Sequence, residues 1–232
     1  MLLVSSLVFL AGAGLPLPGY SVGPGPIRPV DEHITISGGE VFPASGEVLM
    51  ATVAFHPLSP FRALQAWLDS NIETVQPDDV VSADVRARDM EDSRDVATTV
   101  ALHRLDRLGL EPDERATVGI SAAGVDGNSA GLAFTLAILD LLTAGELTGG
   151  RGIGVTGTIE PDGDVGPVGS VDLKAVAMGQ VGVDHLLVPA GQGGEAASRA
   201  DDALEITEVA TLDQALAVLE RLGGDPLGGP PR

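Results

Sequence analysis

The sequence predicts an α/β fold of packed helix and strand layers, and three observations predict it. From Thr117 onward, short apolar or alternating runs exchange places with runs at helical spacing, the pattern of a chain passing between a sheet and its covering helices. The 232 residues are 44% hydrophobic, enough for one or two domains with a real core. Turn signals rich in Gly and Pro separate the runs.

In chain order, residues 2–19 carry no charge and are mostly apolar, near the lower limit for a membrane span. A signal peptide competes, because Ala11-Gly12-Ala13 has a small-x-small cleavage pattern, but cleavage there leaves a short apolar region with no basic residue before it. An uncleaved anchor is preferred. The first cation is Arg28, so charge bias says little about orientation. Pro16, Pro18, Pro24 and Pro26 predict an extended tether, giving an anchor-and-tether unit over 1–30. Strands are expected at 33–37 and 48–55. Phe61, Leu64 and Leu68, with Trp67 beside them, recur at helical spacing, as do Ala97, Ala101, Leu105 and Leu108 in a helix from about Glu91; both stripes are expected to be core. The polar, acidic stretch 76–90 between them is expected to be a surface loop. Together these elements make a small N-terminal β/helix region over 31–109.

Beyond it, Val118 and Ile120 alternate in a strand, and 130–142 is apolar on nearly every side, as in a helix buried by its neighbours. A strand at 154–159 runs into the turn Glu160-Pro161-Asp162-Gly163, and a helix starts near Val171. Strands at 185–188 and 205–209 and an amphipathic helix at 212–222 complete a domain over 110–222. Residues 223–232, with three prolines, four glycines and no periodicity, are expected to be a disordered tail.

Charge and composition exclude several functions. With 13 Lys+Arg against 33 Asp+Glu, the net charge of -20 repels nucleic-acid phosphates, so no nucleic-acid partner is expected. Cysteine is absent, which removes disulfides, thiolate metal sites and cysteine nucleophiles. His33, His56, His103 and His185 have no metal-ligand spacing, and no metal or cofactor is expected. Gly152-x-Gly154-x-x-Gly157 matches a dinucleotide pattern, but a strand and turn follow it where a helix is required.

Two motifs carry chemistry. Gly127-Asn128-Ser129-Ala130-Gly131 is a G-x-S-x-G at the start of a helix: small neighbours permit a sharp turn and close substrate approach, and the helix N-terminus offers N–H donors for an oxyanion. Its plainer reading is that Asn128 or Ser129 merely caps the helix. The second is the segment 163–174, a glycine-rich turn leading into a helix whose first turn holds Lys174, the sole lysine of the chain. A lysine of pKa about 10.4 is a poor base at neutral pH unless its charged form is disfavoured. Val165, Val168, Val171, Leu173 and Val176 offer desolvation and the helix N-terminus repels an ammonium, whereas Asp164 and Asp172 would oppose this if they faced the amine. A surface lysine on an amphipathic helix is the plainer alternative.

These blocks, with Leu147-Thr148-Gly149 and Thr156-Gly157-Thr158-Ile159 in the same order and spacing, resemble the proteolytic domain of the Lon family over about residues 110–222. The resemblance implies the Lon proteolytic-domain fold and an ATP-independent serine endopeptidase with a Ser-Lys dyad: Ser129 as nucleophile, Lys174 as general base, Thr156 holding the lysine and Asp126 as the acidic residue before the nucleophile. Asn128 departs from the usual proline. The 232 residues hold no G-x-x-x-x-G-K-[ST], so no ATP-driven unfolding machinery is expected within them. The N-terminal part resembles small membrane-tethered, Lon-like bacterial proteases, which usually carry a PDZ module; residues 109–116 leave no room for one. Expected partners are a protein or peptide substrate, the membrane through the anchor and, by resemblance, other copies of the chain in a hexamer. The catalytic domain is expected on the extracytoplasmic side of the cell membrane. Two alternatives stay open: an α/β-hydrolase-type esterase using Ser129 and His185 with Asp162 or Asp164, and a catalytically inactive scaffold.

Overall fold

A computed structural model describes residues 16–110, 116–121 and 127–229. The first half contains β1 (Tyr20–Pro29), β2 (Ile34–Ser37), β3 (Glu47–Pro57), α1 (Pro60–Leu68), β4 (Glu73–Val75), α2 (Ala83–Arg107) and β5 (Thr117–Ile120). The second contains α3 (Gly131–Leu142), β6 (Gly152–Val155), β7 (Thr158–Ile159), β8 (Val165–Gly166), α4 (Val171–Gln180), β9 (His185–Pro189), α5 (Gly193–Ala197), β10 (Glu205–Val209) and α6 (Leu212–Arg221). One mixed sheet has the strand order β10-β9-β6-β3-β1-β4, and two-stranded antiparallel pairs β2-β5 and β7-β8 stand beside it. The run from β10 to β3 is parallel, and β1 and β4 add antiparallel strands.

Alternation along the strands builds two cores. Val48 and Met50 of β3, Ile153 and Val155 of β6 and Leu187 of β9 point to one face, where α2, α3 and α6 cover them. Their neighbours Leu49, Ala51, Leu186 and Val188 point to the other face, against Val171, Ala175 and Met178 of α4 and Ala196 of α5. The result is a three-layer α/β architecture with the central strands apolar on both sides.

Several expectations need correction. The sheet crosses the boundary expected at residue 110: β3 pairs in parallel with β6 from Glu47↔Gly152 to Met50↔Val155, so 31–109 does not stand apart from 110–222. Only long-range pairing could reveal this, since β3 and β6 lie about a hundred residues apart in sequence. The Pro-rich stretch expected as tether is largely β1, which tolerates its prolines because Pro24 and Pro26 sit where the register with β3 shifts. Helix α2 starts at Ala83 behind the N-cap Ser82, eight residues before the expected start, and therefore consumes half of the expected loop. Charged side chains on its outer face hide a stripe of Met90, Ala97, Ala101 and Leu105 that is buried. Leu108, assigned to that stripe, is exposed past the helix end. The strand expected at 154–159 is two, β6 and β7.

The tail is docked over the residues described. Gly224 N–H donates to Leu219 O (3.0 Å), Asp225 N–H donates to Glu146 O (2.9 Å), and the buried Asp225 carboxylate accepts from Glu146 N–H (3.1 Å). Most of the expected anchor, residues 1–15, lies outside the described residues. Among the described residues no helix is long and apolar enough to cross a membrane.

Candidate active site

Ser129 stands in the turn leading into α3. Gly127 permits that turn: its φ of +93° is a conformation L side chains rarely adopt, and its N–H donates to Arg86 O on α2 at 3.0 Å. Gly131 permits the packing that follows, because a Cβ there would lie 3.0 Å from both the backbone nitrogen and Cγ2 of Ile159. The N-cap position of α3 is Ala130, without a side-chain cap, so neither Asn128 nor Ser129 serves the capping role that was the plainer reading of the motif. The carbonyl of Ser129 is held twice, by Gly157 N–H at 2.9 Å and by Thr156 Oγ1 at 3.3 Å. Asn128 is exposed, its carbonyl accepting from Ser93 Oγ at 3.3 Å and from Gly131 N–H at 3.3 Å.

Lys174 reaches the same place from the opposite side of the sheet. It lies in the first turn of α4, is 3% exposed, and donates from Nζ to Thr156 Oγ1 at 3.3 Å. Burial lowers its pKa from 10.5 to about 8. Asp172, two residues away, does not oppose this: its carboxylate meets Arg199 Nε at 3.1 Å, and Arg199 also binds Glu73 and Ser70 O. Asp164 is exposed in the glycine-rich turn's β-bridge to Thr211, with its N–H donating to Asp162 Oδ1 at 3.2 Å. Ser170, the residue before α4, has a left-handed φ of +52°, strain that L residues adopt only where the surroundings enforce it.

Ser129 and Lys174 line one open cleft of about 630 Å³, bordered by strand β3. Thr156 links them through its hydrogen bonds. Of the remaining sequence candidates, Gly127, Asn128 and Ala130 also line the cleft, Gly131 lies just behind, and Asp126 is outside the described residues. His185 is elsewhere, on β9, with Nδ1 3.3 Å from Glu205 Oε2. Among the described residues no group of three or more acidic or histidine side chains could hold a metal.

Sequence reasoning missed the wall from β3 and α2: Met50, Thr52, Phe55, Arg86 and Met90 face the same cleft. Arg86 stacks its guanidinium 5.7 Å from the centre of the Phe55 ring. No local signal could have found them, because they border Ser129 only through the parallel pairing of β3 with β6 and the packing of α2 on α3.

The chain is similar to known proteins. The family model of the Lon protease (S16) C-terminal proteolytic domain matches residues 85–221, beginning inside α2 rather than at 110. A Lon protease of Phenylobacterium zucineum is 31% identical over 146 residues, covering 60% of this chain and 18% of the relative. The archaeal Lon protease of Methanothermobacter thermautotrophicus is 33% identical over 95 residues, 40% of this chain and 14% of the relative. For the Lon protease of Escherichia coli K12 the figures are 31% over 106 residues, 43% and 13%. The chain thus spans less than a fifth of the length of these curated relatives.

Proposed function

Since the chain belongs to the family of Lon protease (S16) C-terminal proteolytic domains, we propose that it is a serine endopeptidase in which Ser129 is the nucleophile and Lys174 the general base. The observation that carries this is the convergence of a buried lysine and the G-x-S-x-G serine on Thr156, in a cleft open to a chain-like substrate. Neutral Lys174 Nζ takes the Ser129 hydroxyl proton as Oγ bonds to the substrate carbonyl carbon. N–H groups near Ser129 stabilise the oxyanion, other than those of Gly131 and Leu132, which already donate to Asn128 O and Gly157 O. The C–N bond breaks and the amine leaves with the proton from Lys174; water, deprotonated by the same lysine, then bonds to the acyl carbon, the C–Oγ bond breaks, and Lys174 returns the proton to Oγ. Thr156 holds Nζ in place and keeps the serine turn against β7.

The sequence of these 232 residues has no nucleotide-binding lysine loop, which supports hydrolysis without ATP. The uncharged segment 2–19 supports a membrane tether, and the family resemblance supports a homo-oligomer, a hexamer by analogy. A fluorophosphonate probe with mapping of the labelled residue, together with casein digestion in the presence and absence of ATP, tests the proposal. Label on Ser129 and equal rates in both arms are expected. An unlabelled Ser129 in an active protein overturns the nucleophile, and strict ATP dependence overturns the second part.

A further inference from the structure

Helix α1 is built inside out. Its residues Phe61, Leu64, Trp67 and Leu68 are 52%, 41%, 80% and 70% exposed, whereas Arg62, Ala63, Gln65 and Ala66 are half-buried against the body of the protein. The four large residues recur at i, i+3, i+6 and i+7, so they form one apolar stripe turned to solvent, and no residue of the helix is buried. The helix is nonetheless firmly started, with Pro60 at its first position and the Ser59 hydroxyl accepting from Arg62 N–H at 3.3 Å. A stable helix that turns its larger apolar side chains outward has that face for a partner.

The path of the chain indicates which partner. Leu17 N–H donates to Leu58 O at 2.9 Å and Leu58 N–H donates to Gly19 O at 3.0 Å, so the chain arriving from the uncharged apolar segment 2–15 is fastened immediately before the N-cap of α1. Leu17, also exposed, extends the apolar surface towards that segment. We propose that the exposed face of α1 lies on a lipid bilayer, as an interfacial helix that seats the protease against the membrane entered by residues 2–15; this rests on the tether proposed above. Trp67 is the residue type that settles at headgroup level. With a net charge of -20 the attachment is apolar rather than electrostatic, and the surface it suits is zwitterionic.

Trp67 is the single tryptophan of the chain, and so reports on this face alone. The full chain is reconstituted into phosphatidylcholine vesicles, plain or brominated high in the acyl chain, and floated on a density gradient. The expected result is co-flotation with Trp67 emission shifted to the blue and quenched about twofold or more by the brominated lipid. In the Leu64→Asp/Leu68→Asp variant, which touches exposed positions only, flotation should persist while the blue shift and quenching are lost. Chains that float but show equal emission in both lipids overturn the interfacial helix and leave the tether standing. Blue-shifted emission that bromine does not quench overturns it as well, in favour of a second copy or residues 2–15 covering α1. Failure to float removes the tether and this inference together.

Discussion

Helices α3 and α1 are both read from the sequence as apolar core elements, yet they meet opposite surroundings. In α3 eleven of twelve residues are buried, and the packing that encloses it fixes the turn carrying Ser129. In α1 none is buried, and its apolar stripe looks away from the protein. The difference lies in what surrounds each helix. α3 is wedged between α2 and the sheet, whereas α1 packs only its small and polar face against the sheet edge formed by β1 and β4. Periodicity fixes that a helix has an apolar face; it does not say what covers it.

The largest effects are expected at the site that α3 and α4 support. Ser129→Ala and Lys174→Met should each lower peptide hydrolysis by on the order of 10^3-fold or more, with far-UV circular dichroism unchanged. Lys174→Arg should fail too, because a guanidinium stays charged at any working pH. With Lys174 at about 8, kcat/KM should rise through that pH to a plateau, the base being neutral above it. Retained activity in Lys174→Met, or loss in His185→Ala, would return the esterase alternative.

Next comes the packing contrast itself. Phe134→Ala in α3, at a fully buried site, should destabilise by about 3–5 kcal/mol. Phe61→Ala in α1 is expected to change stability by less than about 0.5 kcal/mol. Urea unfolding of the two variants in parallel measures both, and equal losses would mean that α1 is packed after all.

A third effect arises at the C-terminal end of α3. Burial raises the pKa of Asp140 from 3.8 to about 6, against a lowering by the Leu147 N–H (2.9 Å to Oδ1); Glu146 and Asp31 add to the rise. A carboxyl raised on folding holds its proton more tightly in the folded state, so its contribution to stability is greatest below pH 3.8 and is lost as the pH rises through 6. Asp140→Asn keeps an oxygen for Leu147 and should gain up to about 3 kcal/mol relative to the parent between pH 4 and 7. Denaturant midpoints across that range measure it; parallel curves for the two proteins would refute the assignment. The smallest effect belongs to Trp67→Ala, with casein hydrolysis expected within about twofold of the parent. A large loss there would tie α1 to substrate rather than to a surface.

The sequence by itself determined the chemistry-bearing motifs, because their logic is local. Gly127 and Gly131 bracket Ser129 so tightly that the sharp turn follows from residue size, and a lone lysine among valines at a helix start announces desolvation. It also determined the all-round apolar character of α3 and the strand-helix alternation after Thr117. What only the tertiary structure decided depends on pairing across long stretches of chain. The join of β3 to β6 makes one sheet of two expected regions, brings Met50 and Phe55 beside Ser129, and turns a Pro-rich tether into β1. Asp172 has its charge taken up by Arg199, 27 residues on, which frees Lys174 from a carboxylate that sequence proximity alone would have placed in doubt. Outward-facing Trp67 and the docked Asp225 follow the same rule: hydropathy records which surfaces prefer to leave water, and only the packed chain determines which of them do.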